Sequence, residues 1–281
     1  MKSRLISTMI YGLCAGFGMA LLLYPFFIPV IANNSRAGIT KVSQMPLMMT
    51  LLMGLVLLVL LFEIQGKVMN AKVVALLGVL VAINSTLRFL EVAIPGPGGF
   101  SPIFFLIILT GYVFGASIGF LMGSLTMLVS ALVTGGVGPW LPSQMFVAGW
   151  VGLTAPLCRP IVERLQLKGK SGEVIVLAGF GVVWGFGYGA LMNLWTWPFI
   201  MGPADQYWAP GISALETLQR YTAYYLITSA VWDILAAAGN LILLIFLGKP
   251  ALRILRRFKH RFAFRYIPAA SRPVSPVIAP E

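Results

Sequence analysis

The chain has 281 residues, 59% of them hydrophobic and only 10% charged, with a mean hydropathy of +0.91. A soluble domain carries about a quarter charged residues, so this composition excludes one and requires an all-α, polytopic membrane protein. The net charge of +12 points to membrane topology rather than to nucleic acid, because the basic residues sit in short loops and in the C-terminal stretch.

A spanning helix needs about 20 apolar residues. In chain order eight segments qualify, at roughly 6–32, 45–65, 69–92, 101–115, 118–136, 142–158, 174–200 and 219–247. Lys2 and Arg4 precede the first apolar run as they would in a secretory signal. The run is too long for a signal's apolar region, however, and no small-x-small cleavage site follows it, so it reads as a helix. The stretch 101–136 is too long for one straight span at about 1.5 Å per residue, so it must fold back, at "FGASIGF" (Phe114–Phe120).

With eight spans both termini lie on one side. Sixteen of the 20 Lys and Arg residues fall there, including Lys67, Lys72, Arg159, Lys168 and the run from Lys249 to Arg272. Arg36, Lys41, Arg88 and Arg220 fall on the other side. The positive-inside bias therefore predicts a cell-membrane protein with both termini cytoplasmic. The loops of the outer side are rich in Trp, Pro and Gly: "IPGPGG", "TGGVGPWLPSQ" and "WPFIMGPADQYWAPGISALETLQR". A binding surface on that side is the natural inference.

The third segment begins with Ala71 and Ala75, a small-xxx-small pair extended by Gly78 and Ala82. Such a stripe serves ordinary packing or docks another membrane protein. Near its far end Asn84, Arg88 and Glu91 share one helical face. They form either a self-satisfied snorkelling ion pair or the polar wall of an outward pocket, with Arg88 on an anionic or carbonyl group. Gly111, Gly115, Gly119 and Gly123 recur every four residues, as do Gly181, Gly185 and Gly189, a packing pattern. Asn193, Trp195 and Trp197 read equally as interfacial belt aromatics or as stacking surfaces for a flat ligand.

Asp233 lies about twelve residues into the last segment, which places it near mid-membrane. A carboxylate there costs a few kcal/mol unless it is partnered or protonated. Ser229 and Asn240 share nearly the same face, which should look into the bundle. The group reads as a structural hydrogen-bond cluster, a pocket floor or a coupling-ion site. "LKGKSGE" has Arg164 where a phosphate-binding loop needs Gly. Cys14, Cys158 and His260 give no metal-ligand spacing. No acid/base pair, catalytic constellation or metal site emerges, so the chain is not read as an enzyme.

From "NAKVVALLGVLVAINSTLRFLE" through "GYVFGASIGFLMGSLTMLVSALVTGGVGPWLP" and on to about residue 248, the chain resembles the substrate-binding S-components of energy-coupling factor (ECF) vitamin transporters. The resemblance implies a six-helix substrate-binding core at 67–248, preceded by two additional helices at 1–66 and followed by a basic cytoplasmic tail at 249–281. It implies capture of a vitamin or related micronutrient on the outer face, where Arg88, Trp140 and Gln144 lie with the Trp-rich loop. It also implies a transmembrane coupling protein and two cytoplasmic ATPases as partners. ATP is then used by those subunits and no cofactor belongs to this chain. Ala71 and Ala75 match the family's alanine motif, which docks the coupling protein. The abundance of Trp and Tyr in the outer loops favours a cobalamin-type or other large aromatic ligand. The competing reading is a stand-alone secondary transporter or channel with Asp233 as its ion site.

Overall fold

A computed structural model describes residues 16–20, 22–23, 50–51, 54–55, 57–58, 71–93, 102–199, 203, 205–209 and 212–262, and among them there is no β-strand. Most of the two predicted N-terminal segments, and the loop "IPGPGG", lie outside the described residues. From residue 71 onward the helices are α1 (Ala71–Ala93), α2 (Ile103–Phe114), α3 (Ala116–Thr134), α4 (Leu141–Thr154), α5 (Cys158–Arg164), α6 (Ser171–Thr196), α7 (Ala214–Thr228) and α8 (Ala230–Phe262). α1, α3, α4 with α5, α6 and α8 are long and apolar enough to cross a bilayer, and α2 is a shorter apolar helix. These six make the expected membrane core.

The fold-back falls where the sequence placed it. Gly115 joins α2 to α3 at φ +113°, a conformation that glycine reaches without steric cost. Asn84 on α1 shows that the two helices run antiparallel. Its Nδ2 donates both to the Ile103 carbonyl at the start of α2 and to Thr126 Oγ1 midway along α3, at 3.1 and 3.2 Å. The glycine spacing is packing. A Cβ on Gly111 or Gly119 would fall on the Gly152 carbonyl, and one on Gly123 would fall on that of Ala148. The backbones of α2, α3 and α4 are therefore in contact, as small residues allow within a membrane. α6 and α8 pack in the same way. Gly181 meets Asn240 and Leu244, Gly185 meets the Ala237 backbone, and Gly189 meets Asp233, an antiparallel register.

The final predicted segment, 219–247, is not one helix. α7 and α8 meet at Ser229 (φ −128°, ψ −30°). The hydrogen-bond ladder still crosses the joint, from Ser229 N–H to the Tyr225 carbonyl and from Asp233 N–H to that of Ser229, both at 2.9 Å. Asp233 therefore sits in the first turn of α8, near one end of the bundle rather than midway along a span. Neither Gly nor Pro marks this break, so periodicity alone runs straight through it. α8 also continues past Gly248 to Phe262, with Pro250 inside it, so the basic stretch begins as helix.

The alternating helices give the bundle two ends. The basic face gathers the start of α1, the Gly115 turn, α5, the start of α6 and the end of α8. The aromatic face gathers the start of α2, the α3–α4 connection, the end of α6, α7 and the start of α8. Among the N-terminal residues described, Gly18 packs on the Phe146 ring and Thr50 Oγ1 donates to the Pro139 carbonyl at 3.2 Å, so this part of the chain meets α4 and the loop before it.

Candidate functional site

On the aromatic face, Gly189, Asn193 and Trp197 recur every four residues and so line one stripe that runs along α6 into the 3-10 turn Trp197–Phe199 that follows it. Tyr221, Tyr225, Ser229 and Asp233 form a second stripe at the same spacing, along α7 and into α8. The two stripes face each other. Because Gly189 has no side chain, the Asp233 carboxylate lies directly against the α6 backbone. Asp233 is 6% exposed and accepts hydrogen bonds from Tyr225 Oη at 2.7 Å and Ser229 Oγ at 3.1 Å. Among the described residues no Lys or Arg forms an ion pair with it. The two hydroxyls offset part of the cost of burying the carboxylate but leave its charge without a counter-charge.

One turn along, the Asn193 amide nitrogen is buried with no hydrogen-bond partner among the described residues. Trp197, almost wholly buried, donates its indole N–H to the Gln206 carbonyl at 2.8 Å. Its ring stands edge-on to Tyr221 at 5.3 Å between centroids and lies tilted to Tyr224 at 6.4 Å. Tyr221 Oη donates to the Ala190 carbonyl at 2.5 Å, tying α7 to α6. Arg220 is already engaged, by Glu216 and by the Tyr207 carbonyl at 3.0 Å. Ser213 caps α7 by accepting from the Glu216 N–H at 3.2 Å. A buried carboxylate, an unpartnered amide and several aromatic rings suit recognition of a flat ligand bearing N–H or cationic groups.

The other predicted residues are distributed differently. Asn84 is fully buried on the α1–α2–α3 seam, where it bridges helices, although its Oδ1 has no partner among the described residues. Ser85 Oγ beside it donates to the Thr126 carbonyl at 3.4 Å. Arg88, one turn further along α1, is half-buried, and the side chain of Glu91 lies outside the described residues. Trp140 is 42% exposed and donates to the nearby Gly136 carbonyl at 3.2 Å, as befits an interfacial aromatic. Gln144 is half-buried in the first turn of α4. The structure thus brings Asn193, Trp197 and Asp233 together and leaves Asn84, Arg88, Trp140 and Gln144 on neighbouring seams. Tyr221 and Tyr225 were not singled out from the sequence, and Gly189 only as one of a packing run of glycines. The every-fourth-residue run from Tyr221 to Asp233 is the signal that would have found them.

On the basic face, Ala71 and Ala75 are exposed. Ala75 lines an apolar groove of about 570 Å³ between α1 and α8, with Leu76, Val79, Ile254, Leu255 and Phe258 among its walls. Across α8 from this groove, Glu173 is 1% exposed and accepts from Arg256, from Tyr112 Oη at 2.6 Å and from the Gly169 N–H at 2.9 Å. Arg159 donates to the Tyr112 and Val113 carbonyls at 2.7 and 3.2 Å, and Lys259 donates to that of Val113 at 2.7 Å. These are carbonyls of the last turn of α2, which have no intrahelical donor and carry the negative end of the helix dipole.

A family model for the ECF transporter, substrate-specific component, matches residues 72–248. No curated protein and no solved structure matches the chain.

Proposed function

The chain belongs to the family of ECF transporter substrate-specific components, and from that premise we propose that it captures a vitamin or related micronutrient at its aromatic face. The ligand is then delivered through an ECF module made of a transmembrane coupling protein and two cytoplasmic ATPases, which supply the ATP hydrolysis. The observation that carries this reading is the α6–α7–α8 seam, where, among the described residues, the Asp233 carboxylate has no counter-charge and the Asn193 amide no partner, beside the rings of Trp197, Tyr221 and Tyr225. Arg88, Trp140 and Gln144 extend the site on the same face. The density of rings favours a large aromatic ligand, of which a cobalamin-type molecule is one.

The excess of Lys and Arg on the basic face favours a cytoplasmic position for it, with both termini inside the cell membrane. Ala71 and Ala75 then face the coupling protein, with Ala75 in the apolar groove shared with α8. The described N-terminal residues meet α4 rather than this groove, which favours an open docking face.

The test is purification of the full chain followed by mass spectrometry of whatever small molecule accompanies it. One vitamin-like molecule per chain, binding in the nanomolar range (about −12 kcal/mol), is expected. Ala75→Trp should retain that ligand and lose assembly with the coupling protein. Substrate accumulation by the lone protein in liposomes, abolished by an ionophore, would instead establish a secondary transporter that uses Asp233.

A further inference from the structure

The basic face carries two grooves apart from the candidate substrate site. The first, of about 310 Å³, places Lys170, Lys249, Arg253 and Arg257 over a floor of Val174 and Leu252. The second, of about 260 Å³, places Lys168, Arg159 and Lys259 over Val113 and Val162. Arg256 and His260 line both. The acids among their walls are Glu173 and Glu163. Glu173 is taken up by Arg256, Tyr112 and Gly169. Lys168, Lys170, Lys249, Arg253 and Arg257 form no ion pair with a described acid. Cations gathered this closely from α5, the connection between α5 and α6, and α8 repel one another, and an anion between them would relieve that.

We propose that these paired grooves hold the phosphate headgroup of an anionic phospholipid, and that a lipid with two phosphates occupies both. The course of α8 favours a lipid over an acidic protein segment. The residues just before Lys249 include Ile242, Ile245, Phe246 and Leu247, all exposed, with Phe246 at 74%. The helix thus presents a surface for acyl chains and then, within one turn, a surface for phosphate, the order in which a phospholipid is built. A headgroup held here joins α8 to the α5–α6 connection and to α5. Because Ile254, Leu255 and Phe258 of the same α8 segment form one wall of the groove beside Ala75, the bound lipid also fixes that wall.

The experiment uses the full chain in detergent, titrated with phosphatidylglycerol, cardiolipin, phosphatidylcholine or inorganic phosphate, and read by native mass spectrometry and thermal unfolding. Phosphatidylglycerol and cardiolipin should remain bound and raise the unfolding temperature, with cardiolipin the stronger and phosphatidylcholine without effect. One variant combines Lys249→Gln, Arg253→Gln and Arg257→Gln, and a second combines Lys168→Gln and Lys170→Gln. Both leave Arg159, Arg256 and Lys259, with their contacts to the fold, in place. Lipid affinity should fall on the order of a hundredfold in the first and about thirtyfold in the second. Equal retention of phosphatidylcholine, or undiminished lipid binding by the variants, overturns the proposal. An equal thermal shift from inorganic phosphate assigns the grooves to a free anion instead. Variants that keep their lipid but lose assembly with the coupling protein assign them to a protein contact.

Discussion

The two ends of the bundle meet the same problem, polar groups close to hydrocarbon, and meet it in opposite ways. At the basic face the chain supplies partners for its buried groups, and Lys168, Lys170, Lys249, Arg253 and Arg257, which form no ion pair with a described acid, are exposed. Glu173 has three donors, and the carbonyls at the end of α2 have Arg159 and Lys259. At the aromatic face comparable groups are left open. Asp233 has hydroxyl donors but no described cation, and the Asn193 amide has no described partner. A buried group without a partner costs about 1–3 kcal/mol, more when it is charged. A fold that partners its buried polar groups at one end and leaves them open at the other concentrates that cost where an incoming molecule can offset it.

The largest expected effect lies on the finished side. Glu173→Ala strands Tyr112 Oη and the Gly169 N–H and frees Arg256, so it should cost about 2–3 kcal/mol of stability, at the low end for a buried pair because Arg256 is partly exposed. Thermal unfolding in detergent measures this, and ligand affinity should be unchanged. A loss of affinity as large as the loss of stability would show that the two ends are not separable.

Asp233→Asn makes the reverse test. Tyr225 and Ser229 can still donate to the amide oxygen, and a buried charge disappears, so stability should hold or rise. Ligand affinity should fall about a hundredfold, by roughly 2.7 kcal/mol, read by calorimetry with the copurified ligand. If the variant unfolds more easily yet binds as before, Asp233 is a structural cluster and the contrast between the faces disappears.

The sequence made much of this arrangement legible, for identifiable reasons. Apolar runs marked the spans, and glycines at spacing four marked where helices touch, because only backbone contact requires them. Asn193, Trp197 and Asp233 stood out as polar or amphipathic residues in a hydrocarbon context. The break at Ser229 stayed hidden because no residue there forbids helix. Asn84 read as a pocket wall because its partners, Ile103 and Thr126, lie 19 and 42 residues away. Glu173 and Arg256 are separated by 83 residues, and no local pattern links them. What could be read was therefore what a residue needs, and what could not was which distant segment supplies it.

Asn193 gives the smallest expected effect and the finest division between the two ends. Its Nδ2 is buried and unpartnered, so Asn193→Ala removes a group that contributes no described hydrogen bond to the fold. The lost desolvation cost and the lost packing nearly cancel, and thermal unfolding should stay within about 0.5 kcal/mol of the parent chain. If the amide is held open for a ligand, affinity should fall about tenfold, the 1.4 kcal/mol of one hydrogen bond. Asn193→Asp tests the sign of the site. A second carboxylate one turn from Asp233 repels an anionic or acceptor-rich ligand and favours a cationic one, so the ratio of its effect to that of Asn193→Ala reports the charge of what binds. Equal affinity in all three proteins would place Asn193 with the interfacial residues, and the open end of the bundle would then rest on Asp233 alone.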